Sequence, residues 1–477
     1  MQLLDRLAQN EHLSFTHHFA ELVWGLRLIC EFEWWSRVWV VQETLLSKSA
    51  GLVLGKSMLP WGTALRAASN IVRHSSTCCH GTRRNEHEKL YEGLIRDGLS
   101  VCAEVVLSFR PIPPGTNNEL LANLWIFRNR IATLDHDKVY GLLGMLELDA
   151  LRIQPDYTIS FARLCRSVTL EDIRLSGNLH ALMGVRERSR PAGFSSWCIE
   201  WNSLDYWAAD RSRILTGLYK QIYQASSTYI PRLSTYIMPG LVNSKPNEKY
   251  LSVAGMLFGR VAHVGSSLRY QSEILEDQRM SHDAASISLR YLQSCYHDDD
   301  EPYIAGGSVF NAFWRTLIGD CITPYHDSHI AFGGLQLGNQ SGREPSIRRA
   351  RAVEFWAFLV WWFNETYMES AACWRTERKP VNVQMVQNVK ASIVRATTGR
   401  RIFVTEEGYL GLGPDSIERG DRVAILIGGS TPFVLKCVQD SHRFIGTLKG
   451  DCYVHGCMDG ELVKNEDIDK WDMLTLL

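Results

Sequence analysis

Near the C-terminus five short runs follow one another: Ile402-Phe403-Val404, Arg422 to Ile427, Phe433 to Val438, Phe444 to Leu448 and Tyr453-Val454. Each is rich in β-branched and aromatic residues. Glycine- or proline-containing turns separate them at intervals of about ten residues, the signature of consecutive strands. That rhythm predicts a small barrel or sandwich. Gly411, Gly413 and Pro414 read as tight β turns within it.

Upstream the pattern changes. Residues 305–400 read as helical, with Phe355, Phe358, Leu359 and Trp362 on one face. Tyr250 to Val264 reads as strand, glycine turn, strand. From about residue 176 the chain is aromatic and turn-rich. Residues 11–48 carry Phe19, Leu22, Val23, Leu26 and Ile29 at helical spacing, and Val38, Val41 and Leu45 continue the stripe after Trp34-Trp35-Ser36. The glycine-bounded run Gly51 to Gly55 suits a buried strand, and Pro60-Trp61 opens a further helix. Asp135 is the expected N-cap of a helix carrying Val139, Leu142 and Leu143. Ser160 to Leu175 reads as an amphipathic helix after Pro155.

The composition excludes several classes. The 477 residues are 45% hydrophobic and 22% charged, enough apolar material for full-sized cores. Fifteen Trp point to large aromatic cores. Lys+Arg 51 against Asp+Glu 52 leaves a formal charge of -1, so a globally basic nucleic-acid binder is excluded. Arg348, Arg349 and Arg351 form too short a basic cluster for a nucleic-acid surface. Twelve scattered Cys are no disulfide scaffold, and reduced cytoplasmic thiols are expected. The start has no apolar leader. The most apolar stretch, Ala352 to Phe363, contains Glu354 and is too short to span a bilayer, which takes about 20 residues.

Site motifs are sparse. No Gly-x-Ser-x-Gly elbow or Walker-type loop occurs. Gly411-x-Gly413 lacks the third glycine and following helix of a dinucleotide fingerprint. His74, Cys78, Cys79, His80 and His87 are donor-rich, as are Cys321, His326 and His329, and Cys452, His455 and Cys457. None has a second half at familiar zinc spacing, so no metal and no cofactor is expected. Asp298 to Glu301 reads as a solvated acidic loop rather than a calcium loop. Arg37 and Glu43 are six apart, too far to pair on one helix face, so an Arg–carboxylate network with other partners, anchoring Trp39 in a core, is the expected role. Asp137 and Lys138, with Tyr140, open a helix whose macrodipole favours the carboxylate. Asp156-Tyr157 after Pro155 reads as a turn with an anchored tyrosine.

Three separated blocks resemble the fungal heterokaryon-incompatibility (HET) domain proteins. The first is Trp35-Ser36-Arg37-Val38-Trp39-Val40-Val41-Gln42-Glu43. The second is Asp137-Lys138-Val139-Tyr140-Gly141-Leu142-Leu143-Gly144, followed by Pro155-Asp156-Tyr157. The third runs from Arg401-Ile402-Phe403 through Gly408, Gly411-Leu412-Gly413-Pro414, Gly420-Asp421 and Pro432 to Leu435, to Tyr453-Val454-His455-Gly456. Phe194-Ser195-Ser196-Trp197 and Trp201 resemble a further family element. The family's opening Ala-Leu-Ser-Tyr strand and its Cys-Ile-Asn-Gln segment are not found, so the chain is expected to lack the N-terminal part of a HET domain, through a late-starting gene model or a truncated gene.

The resemblance implies an α+β fold in four parts: a HET-domain remnant (1–55), a helical region (56–205), a mixed region with a Trp-rich helix (206–395) and a small C-terminal all-β barrel-like unit (396–477). It implies non-self recognition leading to programmed cell death, through protein partners in the cytoplasm, without nucleic acid, membrane span or cofactor. An enzyme is not the expected reading. The alternatives are a TIR-like NAD-cleaving domain using Glu43, and an inert remnant or regulatory binding module. Exposed Trp and Val within 34–53 would point to a missing partner, whereas burial of Trp39 and Val41 would count against truncation.

Overall fold

The computed structural model describes residues 2–76, 78–79, 86–109, 119–146, 151–184, 191, 193–203, 214, 217, 222–226, 242–243, 249–265, 302–324, 347–366, 382–440, 443–463 and 471–477. The chain divides into two compact units: residues 1–149 with 329–344, and residues 150–328 with 345–477.

The first unit is mainly helical. Its elements are α1 (Gln2–Ala8), α2 (His17–Cys30), a 3-10 turn (Glu33–Ser36), α3 (Trp39–Leu45), β1 (Gly51–Leu54), β2 (Ser57–Pro60), α4 (Trp61–Ser76), α5 (Glu86–Leu107), α6 (Glu119–Ile126) and α7 (Asp137–Leu143). α2 begins where the Thr16 hydroxyl accepts the Phe19 N–H at 3.3 Å, relieving an orphan donor of the first turn. α1 packs on α4, and α2 and α4 both pack on α5. Gly98 lets α2 approach α5, since a Cβ there would stand 2.5 Å from Val23 Cγ1. Phe109 anchors an aromatic cluster with Trp34, Trp35 and Trp61.

One local expectation is met and two are corrected. The helical stripe over 11–48 breaks at Trp34-Trp35-Ser36 as read, where the Glu33–Ser36 turn separates α2 from α3. Gly51–Leu54 is an edge of a two-stranded hairpin with β2, and Val53 and Leu54 are exposed rather than buried. The N-cap of α7 is His136, not Asp135, and makes no side-chain cap bond.

The second unit holds α8 (Phe161–Ser176), β3 (Val242–Asn243), β4 (Leu251–Val264), α9 (Val309–Leu317), β5 (Cys321–Ile322), β6 (Arg348–Arg349), α10 (Glu354–Thr366) and α11 (Val383–Thr397). Then come β7 (Arg400–Thr405), β8 (Leu410–Pro414), β9 (Arg422–Leu426), β10 (Phe433–Asp440), β11 (Phe444–Asp451), β12 (Tyr453–Val454) and β13 (Asp472–Leu476). Strands β4, β9, β10, β11 and β13 pair in a ring that closes a five-stranded barrel. All pairs are antiparallel except β11 with β13. The far end of β4 carries a further sheet of β7, β8 and β12. Closure leaves the barrel strands no open edge. The expected α+β class with a C-terminal barrel is therefore observed.

β4 does more than the sequence pattern foretells. It is one continuous strand, not two strands about a turn, and register shifts after Leu257 and Val261 bend it from barrel to sheet. Gly255 is there for close approach: a Cβ would lie 2.8 Å from both Leu426 Cδ2 and Leu474 Cδ1. Val261, Phe403, Val423, Val434 and Val454 fill the core between barrel and sheet. Phe313, Trp314, Phe358, Trp361 and Ile393 of α9, α10 and α11 form a separate helical core. The Trp362 side chain lies outside the described residues. The Ser-Trp element ties the barrel together: the Ser196 N–H donates to Leu477 O at 2.6 Å, and its hydroxyl accepts the Leu448 N–H at 2.9 Å. Among the described residues no helix is long and apolar enough to cross a membrane.

Candidate functional site in the barrel unit

A cavity of about 50 Å³, room for a few water-sized groups, lies beside the barrel in the second unit. Arg395, Arg400, Thr431, Asp451, Tyr223 and Tyr453 are among its lining residues. β7 supplies Arg400 and β11 supplies Asp451, and their side chains pair at 3.0 Å, 3% and 2% exposed. A buried pair holds only if its remaining atoms are satisfied. Arg400 Nη1 accordingly donates to Leu412 O at 3.1 Å, and Asp451 Oδ1 accepts the Gly184 N–H at 2.7 Å. Three buried polar atoms at the cavity stay without a partner among the described residues: Arg395 Nε, Arg400 Nε and Thr431 Oγ1.

A second charged chain adjoins the cavity. Arg349 reaches Asp320 Oδ2 at 2.9 Å, pairs with Asp459 and lays its guanidinium 4.7 Å from the Tyr223 ring centroid. Asp320 also pairs with Arg315 and sits at φ 49°, an unusual left-handed position for a residue with a Cβ. The Tyr223 hydroxyl donates to Gly319 O and lies 3.4 Å from Cys321 Sγ. Burial pushes the Tyr223 and Tyr453 phenols and the Cys321 thiol up, so all three stay protonated and weakly nucleophilic. The arrangement offers buried donors to an acceptor-bearing group. It does not offer an activated nucleophile.

The resemblance blocks fall into distinct places. Within the first unit two of them meet. The Val38 N–H donates to Ile131 O at 2.9 Å, and α3 packs on α7. Gly141 and Gly144 make room for this: a Cβ at Gly141 would lie 3.2 Å from Val38 Cγ1, and one at Gly144 3.0 Å from Gln42 Nε2. Trp39 is half-buried and Val41 is fully buried, whereas Trp34, Leu46 and Val53 are exposed. The expected Arg–carboxylate network does not form. Arg37 and Glu43 are both exposed, and neither has an ion partner among the described residues. Asp137 and Lys138 are buried at the start of α7, and Lys138 Nζ donates to Arg130 O and, at 3.1 Å, to Arg128 O. Burial and the nearby Arg128 push the Lys138 ammonium down.

Within the second unit, Asp156 closes an Asx turn, accepting the Thr158 N–H at 2.9 Å. Tyr157 beside it is exposed. Gly411, Gly413 and Pro414 lie inside strand β8, not in turns; a Cβ at Gly411 would stand 2.3 Å from Phe403 Cζ. Gly420, at φ 92°, makes the turn that presents Asp421 to Lys449 Nζ at 2.8 Å. The Tyr453 hydroxyl lies 2.9 Å from His455 Nδ1, and burial pushes the His455 imidazole down. Gly456, at φ 78°, has Ala305 against it: an added Cβ would meet the Ala305 Cβ at 2.2 Å. From the third block, Leu412 and Tyr453 line the cavity. Arg395, Arg400 and Asp451 carried no sequence signal beyond ordinary strand and helix charge.

Of the donor-rich groups, His326, His329 and Asp298 to Glu301 lie outside the described residues, as do His80 and the His87 side chain. Cys452, His455 and Cys457 do not converge. Among the described residues, His12, His74, Cys78 and Cys79 do.

Comparison with known proteins agrees with this architecture. A model of the Het-6 β-barrel domain matches residues 308–473. The chain is 24% identical over 503 aligned residues to heterokaryon incompatibility protein 6, OR allele, of Neurospora crassa, an alignment covering 96% of this chain and 69% of that protein. No solved structure matches. Residues 308–473 are thus similar to the Het-6 β-barrel domain, and nearly the whole chain is similar to that incompatibility protein.

Proposed function

We propose that this protein acts in heterokaryon incompatibility, taking part in non-self recognition that ends in programmed death of the fused cell. The observation that carries the reading is the similarity to heterokaryon incompatibility protein 6 over 96% of the chain. The protein works in the cytoplasm by association with a protein partner. The barrel unit supplies a rigid frame, and its small, mainly apolar cavity with buried arginines is a recognition feature rather than a reaction centre. The high-standing phenols and thiol around that cavity favour binding over covalent chemistry.

NAD cleavage through Glu43 draws no support from the geometry. Glu43 is exposed on α3, and no described side chain binds or orients it. A catalytic carboxylate needs a site that positions its substrate. The test is transformation of fungal strains that differ at their incompatibility loci with the full coding sequence. Growth arrest in some strains and normal growth in others supports the proposal. Normal growth in every strain, with the protein expressed, refutes it.

A further inference from the structure

We propose that His12, His74, Cys78 and Cys79 form a tetrahedral zinc site in the first unit. The proposal is independent of the incompatibility reading. His74 stands in the last turn of α4, and Cys78 and Cys79 follow the helix end. His12 lies in the loop between α1 and α2, and the packing of α1 on α4 brings it to them. One ligand atom from each of the four lies within 4.8 Å of all the others.

Four of the separations lie close to those of a zinc tetrahedron. Bonds of about 2.3 Å to sulfur and about 2.0 Å to nitrogen give edges of roughly 3.8 Å between sulfurs and 3.5 Å between sulfur and nitrogen. The two sulfurs are 3.9 Å apart. His12 Nδ1 is 3.5 Å from Cys78 Sγ and 3.6 Å from Cys79 Sγ. His74 Nδ1 is 3.9 Å from Cys79 Sγ. The edge from His74 Nδ1 to Cys78 Sγ is shorter, 2.9 Å, as suits a thiol hydrogen bond that opens when the proton leaves.

The groups around the four ligands favour the same outcome. His74 Nε2 lies 2.9 Å from Asn10 Oδ1, which accepts its N–H and leaves Nδ1 free to coordinate. Asn10 itself is fixed in place, with a φ of 69° and with Arg73 donating to the same side-chain oxygen. Arg96 Nη2 fixes the Cys79 carbonyl at 2.8 Å, and the Cys79 N–H returns to His74 O at 2.9 Å. His74 and Cys79 are buried, while His12 and Cys78 face solvent, giving the ion an entry path. Two thiolates neutralise the divalent ion, and each releases its proton to solvent on binding. With four protein ligands the site is closed, so its role is structural: it staples the loop after α1 to the end of α4.

The test uses the untagged full-length protein, reduced and dialysed against a zinc buffer. Elemental analysis is expected to find one zinc per chain, and cobalt is expected to give the ligand-field bands of a tetrahedral site with a thiolate charge-transfer band. His12→Ala and Cys79→Ser should each weaken zinc at least about 100-fold, and Asn10→Ala about 10- to 100-fold, by loss of the group that orients His74. Because His12 and Asn10 lie in a loop, their variants should keep the far-ultraviolet circular dichroism of the parent. Substoichiometric zinc in the parent, or a cobalt spectrum unchanged by Cys78→Ser with Cys79→Ser, overturns the proposal.

Discussion

His180 offers a direct check on how the second unit is packed. It sits in the 3-10 turn after α8, buried, and desolvation pushes its imidazole down to about 4 from an ordinary 6.5. The folded protein therefore holds His180 neutral, while the unfolded chain takes up a proton once the pH falls below about 6.5. The associated stability is fully present above that pH and is lost progressively down to about 4. Each unit across the window is worth about 1.4 kcal/mol, so roughly 2 kcal/mol is lost by pH 5 and roughly 3 kcal/mol by pH 4. His180→Gln removes the titration and keeps a neutral polar side chain. Urea unfolding of parent and variant at pH 7, 6 and 5 separates this group from the carboxylates, which titrate alike in both proteins. The stability difference between the two should shift by about 2 kcal/mol in the variant's favour from pH 7 to pH 5. A difference independent of pH would refute the buried, neutral imidazole.

Gly411→Ala should destabilise by about 1–3 kcal/mol in chemical denaturation, because the new Cβ meets the Phe403 ring at 2.3 Å; an unchanged midpoint would mean that Phe403 does not lie there. Arg400→Met leaves Asp451 buried without its partner and should cost about 3–5 kcal/mol, with Arg400→Met plus Asp451→Asn losing less. Lys138→Met removes the ammonium that donates to the Arg128 and Arg130 carbonyls and should cost about 2 kcal/mol by thermal unfolding.

The C-terminal strands were legible because alternation and turn chemistry are local signals. Ile402 to Val404, Arg422 to Ile427 and Phe433 to Val438 all lie in or against strands. Closure was not legible. β4 pairs with strands far along the chain, and β13 enters parallel to β11, partnerships that no window of sequence contains. Glycines misled in one consistent way. Gly411 and Gly413 read as turn residues, yet they sit inside a strand where a neighbouring side chain or carbonyl needs the space. The metal ligands show the same limit. His74, Cys78 and Cys79 stood out, but His12 belongs to them only through the packing of α1 on α4. The cavity arginines were invisible because a buried and an exposed arginine look alike in sequence.

The proposed role is to trigger an incompatibility response by association rather than by consuming a nucleotide. The most direct measurement follows cell death by vital-dye uptake, together with cellular NAD, in fungal cells induced to express either the parent chain or Glu43→Gln beside an incompatible allele. The account predicts equal death with both proteins and no fall in NAD before the dye enters. Death preceded by loss of NAD and abolished by Glu43→Gln would contradict it, as would survival of cells expressing the parent chain.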